Sequence, residues 1–177
     1  MLAMIIDTET TDLINNMAVK LEQQPEIISL YYTIVDLDTG AKVKDESFLF
    51  KPSKPIREEI TKINGITNDM VKDAPPFASV ALLLKEECEL MPLVIAHNAA
   101  YDRDMIELEM LRCGVSVNWQ RILCTVEQTM HLKGYRLSLT NLYKELFEVD
   151  FEEKHSAAGD VAALTKCCVE LRRRKCL

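Results

Sequence analysis

An unbroken apolar run from Leu2 to Ile6 stops at Asp7, the pattern of a strand buried on both faces. Ile27 to Asp36 predicts a second strand, Asp38-Thr39-Gly40 a reversal, and the stretch around Glu46 to Phe50 a third strand, ended by Pro52 and Pro55. These three form a meander along one edge of a sheet. Helical spacing then takes over: short patterns over Arg57 to Ile63 and Asn68 to Val71, separated by Gly65, precede Pro75-Pro76 and an apolar helix from Phe77 to about Leu90. Leu93 to Ala96 predicts a fourth, buried strand, which runs through His97-Asn98 into a helix ending near Gly114. Ile122 to Thr125 gives a short fifth strand. Ser138 is the N-cap expected for a helix through Phe147, and Ser156 that of a last helix reaching the tail. Strands first, with strand and helix alternating later, predict a mixed α/β sandwich.

Composition narrows the classes without choosing among them. With 177 residues, 48% of them hydrophobic and 28% charged, the chain fits one compact domain over residues 1–177. A net charge of −7 argues against broad adhesion to duplex nucleic acid, which rests on many lysines and arginines. It leaves room for an enzyme that meets phosphate through divalent cations, because the carboxylates that bind such ions add negative charge themselves. Cys88, Cys113, Cys124, Cys167, Cys168 and Cys176 show no C-x-x-C spacing and read as reduced fillers. Leu2 to Ile6 is too short for a signal core, and no apolar run approaches a membrane span, so the expectation is a cytoplasmic chain. The basic run Arg172 to Lys175 reads as a solvated helix end.

The acids carry more information. Asp7 and Glu9 lie two apart at a strand end, so a continuing strand projects both from one face, where they repel unless a cation joins them. The plainer alternative is a pair of solvated acids. In the last helix Val161, Leu164, Cys168 and Leu171 make a core-facing stripe, and Asp160 lies within it, pointing toward the sheet. Asp102 stands similarly, one turn before Met105 and Ile106. For both, a buried cap or an ion pair is the competing explanation. His155, just before Ser156, belongs to the loop entering the helix, where it is free to swing over the same site and take a proton from water near neutral pH.

Taken together, Ile6-Asp7-Thr8-Glu9-Thr10-Thr11, His97-Asn98-Ala99-Ala100-Tyr101-Asp102 and His155-Ser156-Ala157-Ala158-Gly159-Asp160 resemble the three motifs of the DEDDh (DnaQ-like) exonucleases, in the same order. Ile63-Asn64-Gly65-Ile66-Thr67 resembles a further family segment, so the likeness covers nearly the whole chain. It implies an RNase H-like fold with a five-stranded mixed central sheet flanked by helices, the first acidic pair on the central strand. It also implies two Mg²⁺ or Mn²⁺ ions, held by Asp7, Glu9 and Asp160, with Asp102 acting largely through water. His155 takes a proton from the attacking water. Thr8, Thr10, Leu13, Asn64, Asn98 and Tyr101 line the substrate pocket by the same likeness.

The implied activity is release of 5′-mononucleotides from nucleic-acid 3′ ends, with single-stranded or frayed DNA favoured over RNA and a DNA polymerase compatible as partner. An RNA-trimming exoribonuclease of the ribonuclease T or oligoribonuclease kind, and a non-catalytic nucleic-acid-binding module, are the alternatives. Two positions depart from the family pattern. Asp12 stands where glycine is usual and Asn64 where histidine is common. The first is expected to slow substrate binding, by placing a carboxylate near a phosphate path.

Overall fold

In the computed structural model, which describes residues 1–15, 20–151 and 156–177, the first strand does not stop where its apolar run does. β1 spans Leu2–Thr10 and carries the two acids of the first motif inside the strand. β2 (Ile27–Asp36) pairs with it antiparallel, and β3 (Lys42–Leu49) pairs antiparallel with β2. On the other flank β4 (Val94–Ala96) and β5 (Ile122–Cys124) run parallel to β1. The order β3-β2-β1-β4-β5 makes a five-stranded mixed sheet with the acidic strand at its centre, as the family likeness implied.

β1 owes its central place to its side chains. Met4 and Ile6 point to one face, joining Leu30, Tyr32, Ile34, Val94 and Ala96 beneath α4 (Ala99–Arg112) and α3 (Ala81–Leu90). Ala3 and Ile5 point to the other, packing with Val35, Ile95 and Leu123 against Val161, Leu164 and Cys168 of α8 (Ala157–Arg173). A strand covered on both faces has no wet side, which is why its sequence is continuous rather than alternating. α7 (Leu139–Phe147) lies outside α8, with Leu142 and Leu146 against Ala163, Cys167 and Leu171. Ser138 and Ser156 cap α7 and α8 as expected, accepting from the N–H groups of Asn141 and Gly159.

α1 (Glu58–Asn64) ends at Gly65, whose φ of 74° only a residue without Cβ adopts freely, and α2 (Asn68–Val71) follows. The turn between β4 and α4 passes through Asn98 at φ 73°, a left-handed position that asparagine tolerates.

The structure differs from the sequence pattern in several places. β3 begins at Lys42, four residues before the expected Glu46, because an edge strand with an exposed face needs no apolar alternation, and lysines there guard the edge. The expected helix from Phe77 divides into a 3-10 turn, Phe77–Ser79, and α3, the break falling at Val80. Leu93 precedes β4, although its carbonyl accepts from Met4 N–H and continues the pairing. Thr125 begins the short α5 (Thr125–Gln128), followed by α6 (Met130–Lys133), and neither has a full amphipathic period to betray it. The basic tail is not simply solvated: Arg172 pairs with Asp38, and Arg173 and Arg174 with Glu170. No helix among the described residues is long and apolar enough to cross a membrane.

Leu164, 1% exposed one turn beyond Asp160, holds α8 on the sheet. Leu164→Ala is expected to lower the unfolding free energy by about 3 kcal/mol, measured by urea titration.

Candidate active site

Alternation along β1 decides which way each acid faces. Residues 3 and 5 lie under α8, so Asp7 and Glu9 continue that face toward the first turn of the same helix. Asp160 waits there. One carboxylate oxygen from each of Asp7, Glu9 and Asp160 falls within 4.8 Å of the others, and all three residues are partly buried. Asp102, buried on α4, completes the acidic surroundings and raises the pKa of both Asp7 and Glu9.

Burial and like charge act in the same direction here. Burial first, then Asp102, Glu9 and Asp160, push Asp7 well above the ordinary carboxylate range. Glu9 rises to about 7, chiefly by burial and then by Asp160, with a hydrogen bond from Asn64 pulling it back. Asp102 also rises to about 7 through burial, opposed by two hydrogen bonds from Thr8. A cluster of hard carboxylate oxygens whose charge is this costly matches the donor set of a divalent cation such as Mg²⁺ or Mn²⁺. Among the described residues, Asp7, Glu9 and Asp160 are placed to hold it.

The remaining expected residues fall into two groups. Thr8 faces α4, not the open side: its N–H donates to Asp102 Oδ1 at 3.0 Å and its hydroxyl to the same oxygen at 2.8 Å. Buried at 7% exposure, it orients an acid through this internal contact. Thr10 and Tyr101 share a 2.5 Å hydrogen bond, and both hydroxyls also reach the carbonyl of Asp12 at 2.9 Å, fixing the turn that follows β1.

Leu13 stands beyond that turn, 73% exposed, while Asn64 is buried against Glu9 with its Oδ1 accepting from Ile66 N–H. Asn98 is exposed at the head of α4, and its Oδ1 accepts from Arg136 at 3.1 Å. His155 lies outside the described residues.

Three features of the site have no counterpart in the motif reading. Arg57 pairs with Asp12, so the carboxylate expected to repel a phosphate path is already matched by a guanidinium. Arg136 reaches Asn98 from a loop that carries no pattern of its own. His97, inside the second motif, is structural: Nε2 donates to the Leu137 carbonyl at 3.1 Å and Nδ1 faces the Thr125 hydroxyl at 2.9 Å. Burial drives its pKa down to about 4, so the ring is neutral. Nothing in the spacing of Arg57 or Arg136 could have marked them, since each acts through tertiary contact.

A mixed five-stranded sheet between helices, with acids on its central strand and on the two covering helices, is the RNase H-like arrangement that the motifs implied. Residues 4–168 match the family described as Exonuclease (RNase_T). Over 130 residues, 71% of this chain and 9% of the relative, the sequence is 34% identical to the DNA polymerase III PolC-type of Caldanaerobacter subterraneus subsp. tengcongensis. The chain thus spans about a tenth of the length of the polymerase relatives it matches.

Among solved structures, the nuclease domain of 3′hExo, a DEDDh family member, bound to rAMP, superposes with a TM-score of 0.79 at 16% identity, over 99% of this chain and 93% of that one. Exonuclease X in complex with 5′ overhanging duplex DNA does so with a TM-score of 0.66 at 21% identity, over 98% and 93%. The chain belongs to the DnaQ-like exonuclease family of the RNase H-like superfamily. DEDDh exonucleases use divalent metal ions, in keeping with the donor set found here.

A carboxyl whose pKa is higher folded than unfolded binds its proton more tightly in the native state. The stability contributed by Glu9 and Asp102 is therefore full below about pH 4 and is lost as the pH rises through about 7. In EDTA, the melting temperature is expected to fall by at least about 3 °C between pH 6 and pH 8. Mn²⁺ should raise it more at pH 8 than at pH 6, because the acids then have no protons to release. Equal metal shifts at both pH values would contradict this. Thr8→Val, which removes one donor from Asp102, should cost about 10- to 100-fold in nuclease activity with the fold intact, read by oligonucleotide cleavage and circular dichroism.

Proposed function

We propose that this chain is a 3′ to 5′ exonuclease that trims single-stranded or frayed DNA ends in preference to RNA, releasing 5′-mononucleotides in an editing or repair role. The observation that carries this reading is the convergence of Asp7, Glu9 and Asp160 within 4.8 Å, with Asp102 beside them. The preference for DNA is supported by the 34% identity to a DNA polymerase III relative, which is also the reason to include a DNA polymerase as partner.

Asp7, Glu9 and Asp160 would hold the metal in this reading, and Asp102, oriented by Thr8, would act on it through water. Two such ions, when bound, stabilise the attacking and departing oxygens of phosphoryl transfer. The chain supplies the rest. His155 takes the proton from the attacking water, a contribution worth about 100- to 10,000-fold. The turn locked by Thr10, Tyr101 and the Asp12 carbonyl presents Leu13 to the terminal base, and Asn64 fixes the orientation of Glu9. Asn98 and Tyr101, at the start of α4, contact the terminal nucleotide in the same reading.

Oligonucleotides of DNA and RNA labelled at either end, incubated with Mg²⁺, Mn²⁺ or EDTA, test the reading. Metal-dependent mononucleotide release from the 3′ end, faster on DNA, is the expected result, and Asp7→Ala should abolish it while the fold is retained. His155→Ala should lose most activity yet keep metal binding. No release under any metal condition would leave only a binding module, and faster RNA trimming would transfer the assignment to an exoribonuclease.

A further inference from the structure

Most cations of this acidic chain are spent on neighbours: Lys42, Lys44, Lys85, Lys133 and Lys144 all stand in ion pairs. Lys51 and Lys54 do not, among the described residues. Both are exposed and, together with Lys72, line a cleft of about 300 Å³ whose other walls are Pro52, Ser53, Pro55, Asn68 and Val71. No acid lines it. Lys72 has Asp69 at 3.8 Å, a long and exposed contact that a stronger anion displaces readily.

The backbone that presents these lysines is held at three points. Lys51 N–H donates to the Pro75 carbonyl at 3.1 Å. The Ser53 N–H and hydroxyl both donate to Glu26 at 2.9 Å. The Asn68 side chain grips Ile56 at both its N–H and its carbonyl, at 2.7 and 2.9 Å. Pro52 and Pro55 stiffen the same segment.

The cleft is not isolated. Ser53, Lys54 and Pro55 also wall an adjoining cleft of about 200 Å³ that reaches Thr11 and Asp12, directly after the acidic end of β1. Arg57 lies along that second cleft, where it balances the Asp12 carboxylate. The two clefts thus share Ser53, Lys54 and Pro55, and the second, which Glu22 and Glu26 also line, ends at the turn that follows the acid-bearing end of β1.

We propose that the Lys51, Lys54 and Lys72 cleft binds backbone phosphates of the nucleic-acid strand whose 3′ end lies at the acid cluster. The inference rests on the exonuclease reading and extends it to the body of the substrate. Spaced ammonium groups on a preorganised edge recognise a polyanion without regard to sequence, as a nuclease that shortens any strand requires. They also offset the repulsion between a chain of net charge −7 and its substrate.

The test is equilibrium binding of a 5′-fluorescein 20-nucleotide oligo-dT strand by anisotropy in EDTA, with KCl from 50 to 200 mM. The comparison is between the wild-type chain and Lys51→Gln/Lys54→Gln/Lys72→Gln, with Lys51→Gln/Lys54→Gln as a milder second variant. The expected result is about tenfold weaker binding by the triple variant and a log Kd against log salt slope smaller by about 2, the loss of three single-strand phosphate contacts. In turnover with Mn²⁺, kcat/KM should fall on the 20-nucleotide strand through KM, and by less than twofold on a dinucleotide.

Unchanged affinity and slope in both variants would overturn the proposal, as would an equal loss on the dinucleotide, or displacement of the strand by poly-glutamate as readily as by unlabelled DNA. Absence of nucleotide release by the wild-type chain, with binding and its lysine dependence intact, would sink the exonuclease reading and leave the phosphate cleft standing.

Discussion

Like charges crowded at the end of a strand covered on both faces set the terms for the rest of this structure. Asp7, Glu9 and Asp160 approach within 4.8 Å, and every influence on Asp7 favours its protonated form. Carboxylates so placed must hold protons or share a cation, since low-dielectric surroundings enlarge the repulsion between them. Near neutral pH the proton option weakens, because Glu9 and Asp102 titrate at about 7. The fold thus accepts a local cost that a divalent ion removes, and strain of this kind gathers at functional sites.

Packing is what enforces the crowding. Ile5, Val161, Leu164 and Cys168 bury against one another and fix α8 on the face of β1 that Asp7 and Glu9 continue. Ser156 sets the start of that helix, so Asp160 arrives in its first turn. On the opposite face Thr8 fastens Asp102, and Thr10 with Tyr101 fastens the following turn. The two threonines and two acids alternate along four residues of one strand. Each pair therefore serves a different covering helix, and the site is assembled where the helices meet at the end of β1.

Much of this was legible in the sequence because it obeys a period. The apolar run Leu2 to Ile6 announced a doubly covered strand, and the stripe Val161, Leu164, Cys168, Leu171 gave the facing of Asp160; all four stripe residues are buried. The motif likeness supplied the family and the place of Asp102. What stayed hidden acts without a period. The first half of β3 lies on an exposed edge, where Lys42 to Asp45 have no reason to be apolar. The role of Thr8 depends on which face carries α4. The match of Arg57 to Asp12 joins residues 45 apart, and the neutral, structural His97 looks in sequence like any motif histidine. Its partners, Thr125 and Leu137, come from later segments that only the folded chain brings near.

If the acid cluster is built to hold a cation, removing one charge should stabilise the metal-free protein while destroying its chemistry. The direct measurement is the melting temperature of Asp7→Asn against the unaltered chain, at pH 8 in EDTA, alongside nucleotide release with Mn²⁺. The account predicts a higher melting temperature for the variant and no release. A variant that melts lower than the unaltered chain, or that still releases nucleotides at the original rate, would contradict it.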